Sequence, residues 1–174
     1  LGYANPHSLI CARLVTRQRG RGLDGGLIRE RLEMALALRE GLYPKPFYRL
    51  VFGESDGLPG LVVDRYGELL VLQITTAGME RLRDQIAAAL QELLRPAAML
   101  LRNDTGVRDL EGLSQTVETL AGEVPEQVEI EENGTGDEPV AECVLGVIRA
   151  MRFPEATAAS MVTYPFVLQP AEAA

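Results

Sequence analysis

The chain has 174 residues, 47% apolar and 24% charged, with a formal net charge of −8. That balance belongs to a folded globular chain and excludes wholesale disorder, and no apolar run reaches the roughly 18 residues that a membrane span requires. One His (His7) and two Cys (Cys11, Cys143) argue against a Cys/His zinc centre, which takes about four such ligands.

The opening LGYANPHSLICARLV has no basic region ahead of its apolar stretch, so it does not read as a secretory signal. It does not begin with Met, and reads as a fragment. Residues 8–17, SLICARLVTR, read as a strand. QRGRGLDGG is then a glycine-rich loop holding Arg19 and Arg21. Asp24 is placed to start a helix over Gly26 to Glu40, where Leu27, Ile28, Leu32, Ala35 and Leu36 form an apolar stripe. Gly41 closes it, and Pro44 and Pro46 forbid its continuation. FYRLVFG (47–53) alternates as a strand; ESDGLPG turns; LVVDRYGELLVLQITT (61–76) reads as a hairpin about Arg65-Tyr66-Gly67-Glu68. Residues 79–94 form the clearest helix, striped by Leu82, Ile86, Leu90 and Leu93 and ended by Arg95-Pro96. AAMLLRND (97–104) is a short buried strand, and SQTVETLAG and EQVEIEENG are edge strands.

The character changes at the linker NGTGDEP (133–139). Residues 139–153 have helical spacing at Val140, Val144, Leu145, Ile148 and Met151, and 161–170 read as a strand kept to an edge by Pro165. The order strand–strand–strand–helix–strand–strand describes an α+β fold with helices on one sheet face, plus a short helix-strand tail. Such a tail is too short for its own core, so it extends the central sheet or mediates a homodimer, the dimer favoured.

Charge is unevenly placed. Residues 1–49 carry net +5, and residues 50–174 net −13. Arg13, Arg17, Arg19 and Arg21 have no acidic neighbour until Asp24, so they are either an RNA footprint or a solvated face. Gly20-Arg21-Gly22 and Gly134-Thr135-Gly136 lack the strand-then-helix context of a phosphate loop. Glu54, Asp56 and Asp64 offer carboxylates for acid–base or metal chemistry, but Asp56-Gly57 and Pro59-Gly60 are turn chemistry, and Asp64 is placed to pair with Arg65 or Arg49. Arg102, Asp104, Arg108 and Glu111 are either an outward-facing cluster or an internal network. Tyr3, Tyr48 and Tyr66 could stack on bases or cover the core. Cys11 and Cys143, 132 positions apart, read as free thiols of a reducing, cytoplasmic compartment.

The run G-E-S-D-G-L-P-G-L-x-x-D-R-x-G at 53–67, with GYANPHSLICARLVTR before it and LLRNDTGVRDLEGL and GEVPEQVEIEENG after it, resembles the 23S rRNA (cytosine-C5) methyltransferase I family. The resemblance covers residues 2–134. It implies an S-adenosylmethionine-dependent enzyme with an N-terminal PUA domain, which binds RNA, a central strand-strand-helix-strand-strand domain and a C-terminal Rossmann-like domain. On that scheme residues 1–22 are the end of the PUA-like domain and connector, 23–134 the central domain, and 135–174 an unrelated tail. The motif loop residues Gly53, Glu54, Asp56, Gly57, Pro59, Gly60 and Asp64 are then structural. The family's cofactor loop, D-P-P motif and catalytic Cys have no match, so no catalytic, cofactor-binding or metal residue carries over. Neither Cys11 nor Cys143 stands at the catalytic position, where a thiolate must attack the base. The expectation is weak binding of ribosomal RNA through the basic segment, no S-adenosylmethionine in this chain, no membrane and no catalysis alone. The run D-E-P-V-A-E-C-V-L-G-V-I-R-A-M-R-F-P followed by V-T-Y-P-F-V, within residues 137–168, resembles the end of a TonB-like carboxyl-terminal domain of myxobacterial envelope and gliding proteins. Two other classes of reading follow: a non-enzymatic interaction module, and an envelope-associated protein acting through the tail.

Overall fold

The computed structural model describes residues 1–124 and the single residue Pro139. The expected strand at 126–134, the tail helix and strand, Cys143 and the homodimer surface lie outside the described residues.

Strand β1 (Gly2–Ala4) pairs antiparallel with β2 (Ala12–Leu14). The strand expected over 8–17 is therefore three residues long. Residues 5–11 instead form the connecting loop, because Asn5 turns the chain: its backbone N–H bonds to the Cys11 carbonyl at 2.8 Å and its Oδ1 accepts the His7 N–H at 3.1 Å. Cys11 is exposed in that loop.

Helix α1 (Gly25–Leu42) starts where Asp24 caps it, its side chain accepting the Leu27 N–H at 3.0 Å. It runs through Gly41 rather than ending there. The stop comes from Pro44, which holds the residue before it, Tyr43, in an extended conformation (φ −120°, ψ 126°). Leu27, Ile28, Leu32 and Ala35 are its buried face.

Strands β3 (Phe47–Phe52), β4 (Leu61–Tyr66), β5 (Leu69–Ile74), β6 (Ala98–Arg102) and β7 (Val117–Ala121) form one sheet in the order β3-β4-β5-β6-β7. Neighbours are antiparallel except β5 and β6. The β4–β5 turn is two residues, Gly67-Glu68, with Gly67 supplying φ +62°. The parallel pair needs a crossover, built by α2 (Ala77–Glu80) and α3 (Arg83–Leu94). The single helix expected over 79–94 is thus broken. Thr76 starts a separate first turn, its Oγ1 accepting from the Met79 N–H, and at Leu82 (ψ 5°) the chain leaves the helical basin, with the Leu82 N–H bonded to the Met79 carbonyl at 2.9 Å. Met79, Leu82, Ile86 and Leu90 nevertheless all face the core, with Ile28 and Leu32 of α1 and Leu50, Leu61, Val63, Leu72 and Leu101 of the sheet. The architecture is α+β, and Leu1–Val124 form one compact unit. Among the described residues no helix is long and apolar enough to cross a membrane.

Candidate nucleic-acid interface

The motif loop leaves β3 through a single helical turn, Gly53–Asp56, and enters β4 at Leu61. Gly57 takes φ +70° and Gly60 φ +80°, conformations that a side chain resists. A Cβ on Gly60 would stand 2.3 Å from Thr76 Oγ1, so glycine is also required there by space. Asp56 holds the loop from inside. Its carboxylate accepts both Arg39 guanidinium nitrogens, at 2.6 and 2.8 Å, and the Phe52 N–H at 2.6 Å. Asp64 sits one strand away and takes a two-bond pair from Arg49, at 2.8 and 3.0 Å, which raises the Arg49 pKa. Among the described residues no group of three or more His, Cys, Asp or Glu comes together to hold a metal.

The β1–β2 hairpin is bolted to this loop. The Tyr3 hydroxyl donates to the Pro59 carbonyl at 2.7 Å and shares a 2.8 Å bond with Thr76 Oγ1, and its ring lies where a Cβ on Gly78 would be. Burial raises the Tyr3 pKa against the opposing pull of that Thr76 bond. Two residues on, Asn5 Nδ2 donates to the Glu111 carbonyl at 3.0 Å and to Glu111 Oε2 at 2.8 Å. Burial pushes the Glu111 carboxyl up, but the hydrogen bonds from Ser8, Asn5 and the Ala77 N–H, with the Arg13 charge, outweigh it and hold the pKa low. Arg108 is equally internal, donating to the Ile74 and Ser114 carbonyls and to Glu80. Arg102 and Asp104 pair with each other in a more open setting, and the Arg102 hydrogen bond lowers the Asp104 pKa. Tyr48 is buried, stacked on Tyr43 with ring centroids 5.6 Å apart and bonded through its hydroxyl to Arg65. Tyr3 and Tyr48 are thus committed to the fold. Tyr66 is partly buried, which raises its pKa, as does the nearby Asp64 charge.

The four expected RNA-facing arginines fall into two sets. Arg13 is tied to Glu54 at 2.7 Å and approaches Glu111 at 4.0 Å, and Arg21 is tied to Glu30. Arg17 and Arg19 are exposed and have no ion pair among the described residues. Arg17 stands at a groove of about 700 Å³ between the segment after β2, α1 and the motif loop. Arg31 also lines it; its stem lies against Gly57 and its Nε is buried without a hydrogen-bond partner. Nothing singled out Arg31 in the sequence beyond helical spacing, which puts it on one face with Met34 and Leu38.

No family model matches the chain. It is 39% identical over 136 residues to "Ribosomal RNA large subunit methyltransferase I" of Alteromonas mediterranea, covering 76% of this chain and 34% of the relative. It is 42% identical over 130 residues to the protein of the same name from Klebsiella pneumoniae, covering 71% of this chain and 32% of the relative. The chain spans about a third of the length of the curated relatives it matches. In fold it is similar to a candidate SAM-dependent methyltransferase from Streptococcus mutans, with a TM-score of 0.61, 21% identity, and coverage of 76% of this chain and 34% of the other. A candidate methyltransferase crystallised with SAH gives a TM-score of 0.59 at 15% identity, covering 72% of this chain and 31% of the other.

Proposed function

We propose that this chain serves ribosomal RNA methylation as an RNA-contacting, structural segment of a large-subunit rRNA methyltransferase of the S-adenosylmethionine-dependent kind. The observation that carries the reading is identity near 40% to relatives of that name along 130 residues or more. The named relatives also supply the reaction: methyl transfer to rRNA. The sequence resemblance narrows the acceptor to C5 of a cytosine. In this segment the described residues form a scaffold for RNA, and methyl transfer belongs to chemistry outside it. The carboxylates of the motif loop support that division, because Asp56 and Asp64 are each occupied by an arginine and are not poised as acid or base.

The test is binding. Structured rRNA should bind weakly, with affinity falling steeply as salt rises, because arginines that neutralise phosphates release counterions. Replacing Arg17 and Arg19 with Ala should weaken binding. Salt-independent binding, or no effect of that pair, would overturn the RNA role. Calorimetric titration with S-adenosylmethionine should show no binding tighter than about 1 mM; tighter binding would move the methyl-donor site into this chain.

A further inference from the structure

We infer that the groove between Arg17 and Arg31 is a binding site for one nucleotide of single-stranded RNA, its phosphate between the two guanidinium groups and its base on the apolar floor. The inference rests on the RNA-contacting role proposed above and goes further by placing the contact. Its volume of about 700 Å³ lies within the range of small-ligand sites, roughly 300–1,000 Å³.

The charge balance decides the class of ligand. Two carboxylates line the groove, Glu54 and Asp56. Each is already neutralised from outside the lining, Glu54 by Arg13 at 2.7 Å and Asp56 by Arg39 at 2.6 Å. Arg17 and Arg31 line the same groove and have no carboxylate partner among the described residues. No carboxylate compensates the Arg31 charge among the described residues, and its Nε, packed against Gly57, has no hydrogen-bond partner. The groove therefore presents uncompensated positive charge to an anion.

A bare anion does not account for the floor. Leu14, Met34 and Leu38, which are 56%, 57% and 55% exposed, all line the groove. An apolar surface next to guanidinium groups suits a ligand that is anionic at one end and flat and apolar at the other. A nucleotide has that form. Gly57 contributes by what it lacks: a Cβ there would stand 3.2 Å from Arg31 Nε, so the arginine would have to shift by a few tenths of an ångström.

The experiment measures affinity of the full chain for a short single-stranded RNA, by fluorescence anisotropy at low salt, with inorganic polyphosphate as the second probe. Arg17→Gln/Arg31→Gln should lose about tenfold or more, and the log–log salt slope should fall by about 0.7, the contribution of one neutralised phosphate on a single strand. Arg81→Gln/Arg95→Gln, at two exposed arginines without ion pairs among the described residues, should leave affinity nearly unchanged. Met34→Gln/Leu38→Gln should weaken RNA binding but not polyphosphate binding. Arg31→Lys should restore part of the affinity, which a folding defect would not allow. Equal losses from the groove pair and the control pair would overturn the groove and leave the RNA role standing. An unchanged RNA affinity of the floor variant would overturn the nucleotide placement. Absence of RNA binding by the unmodified chain would overturn both this inference and the reading beneath it.

Discussion

Gly60 is the residue where sequence and space meet most tightly. Its φ of +80° and the 2.3 Å from a notional Cβ to Thr76 Oγ1 act together. Gly60→Ala should cost about 2–3 kcal/mol, read from the urea midpoint, because both backbone strain and a displaced helix cap are imposed by one methyl group. Glu111 makes the chemical counterpart. Its pKa is lowered in the folded state, so its contribution to stability is present above the unfolded carboxylate value of about 4.3 and is lost as pH falls through the folded value. Glu111→Gln should therefore flatten the acid limb of the stability curve, measured as urea midpoint against pH from neutral downward. An unchanged acid limb would show that the lowered pKa contributes nothing to stability.

At the scale of elements, the tie between α1 and the motif loop is the Arg39–Asp56 pair, with side chains only 12% and 7% exposed. Removing either partner leaves the other nearly buried and unpaired. Arg39→Ala and Asp56→Ala should each cost about 2–4 kcal/mol, and a double-mutant cycle should return a coupling of about 1–3 kcal/mol. A coupling near zero would make the pair incidental. The elements themselves were legible to the extent that they carry a period. Leu27, Ile28, Leu32 and Ala35 announce α1, alternation announces β3, and the turn at Gly67-Glu68 between two apolar runs announces β4 and β5. The end of α1 was misplaced because Gly41 is tolerated inside a helix at about 1 kcal/mol, while Pro44 fixes the stop two residues later. β1 has only three residues, too few to show a period, and takes its conformation from pairing with β2 and from the Tyr3 anchor. The groove was illegible for a different reason. Arg17, Arg31 and Gly57 come from separate stretches, and no window of sequence shows that they meet, nor that Arg13 and Arg21 are occupied by Glu54 and Glu30.

At the scale of the whole molecule, Leu1–Val124 carry their own core and their own sheet. A chain truncated after Val124 should melt as one cooperative transition, followed by circular dichroism. A broad, non-cooperative melt would show that residues beyond 124 complete the core. One bond of that unit sets the order in which it can be assembled. Asn5 reaches Glu111 across 106 positions of sequence, so this bond of the hairpin forms only once nearly the whole unit has been synthesised, whereas Pro59 and Thr76, the partners of Tyr3, are available earlier. Closing so long a loop belongs to the end of folding, after the local hairpins and helices have formed. Asn5→Ala should then leave the refolding rate almost unchanged and speed unfolding, seen in the arms of a chevron plot. The hairpin is in this sense a latch whose bond to Glu111 is the last to close and the first to open.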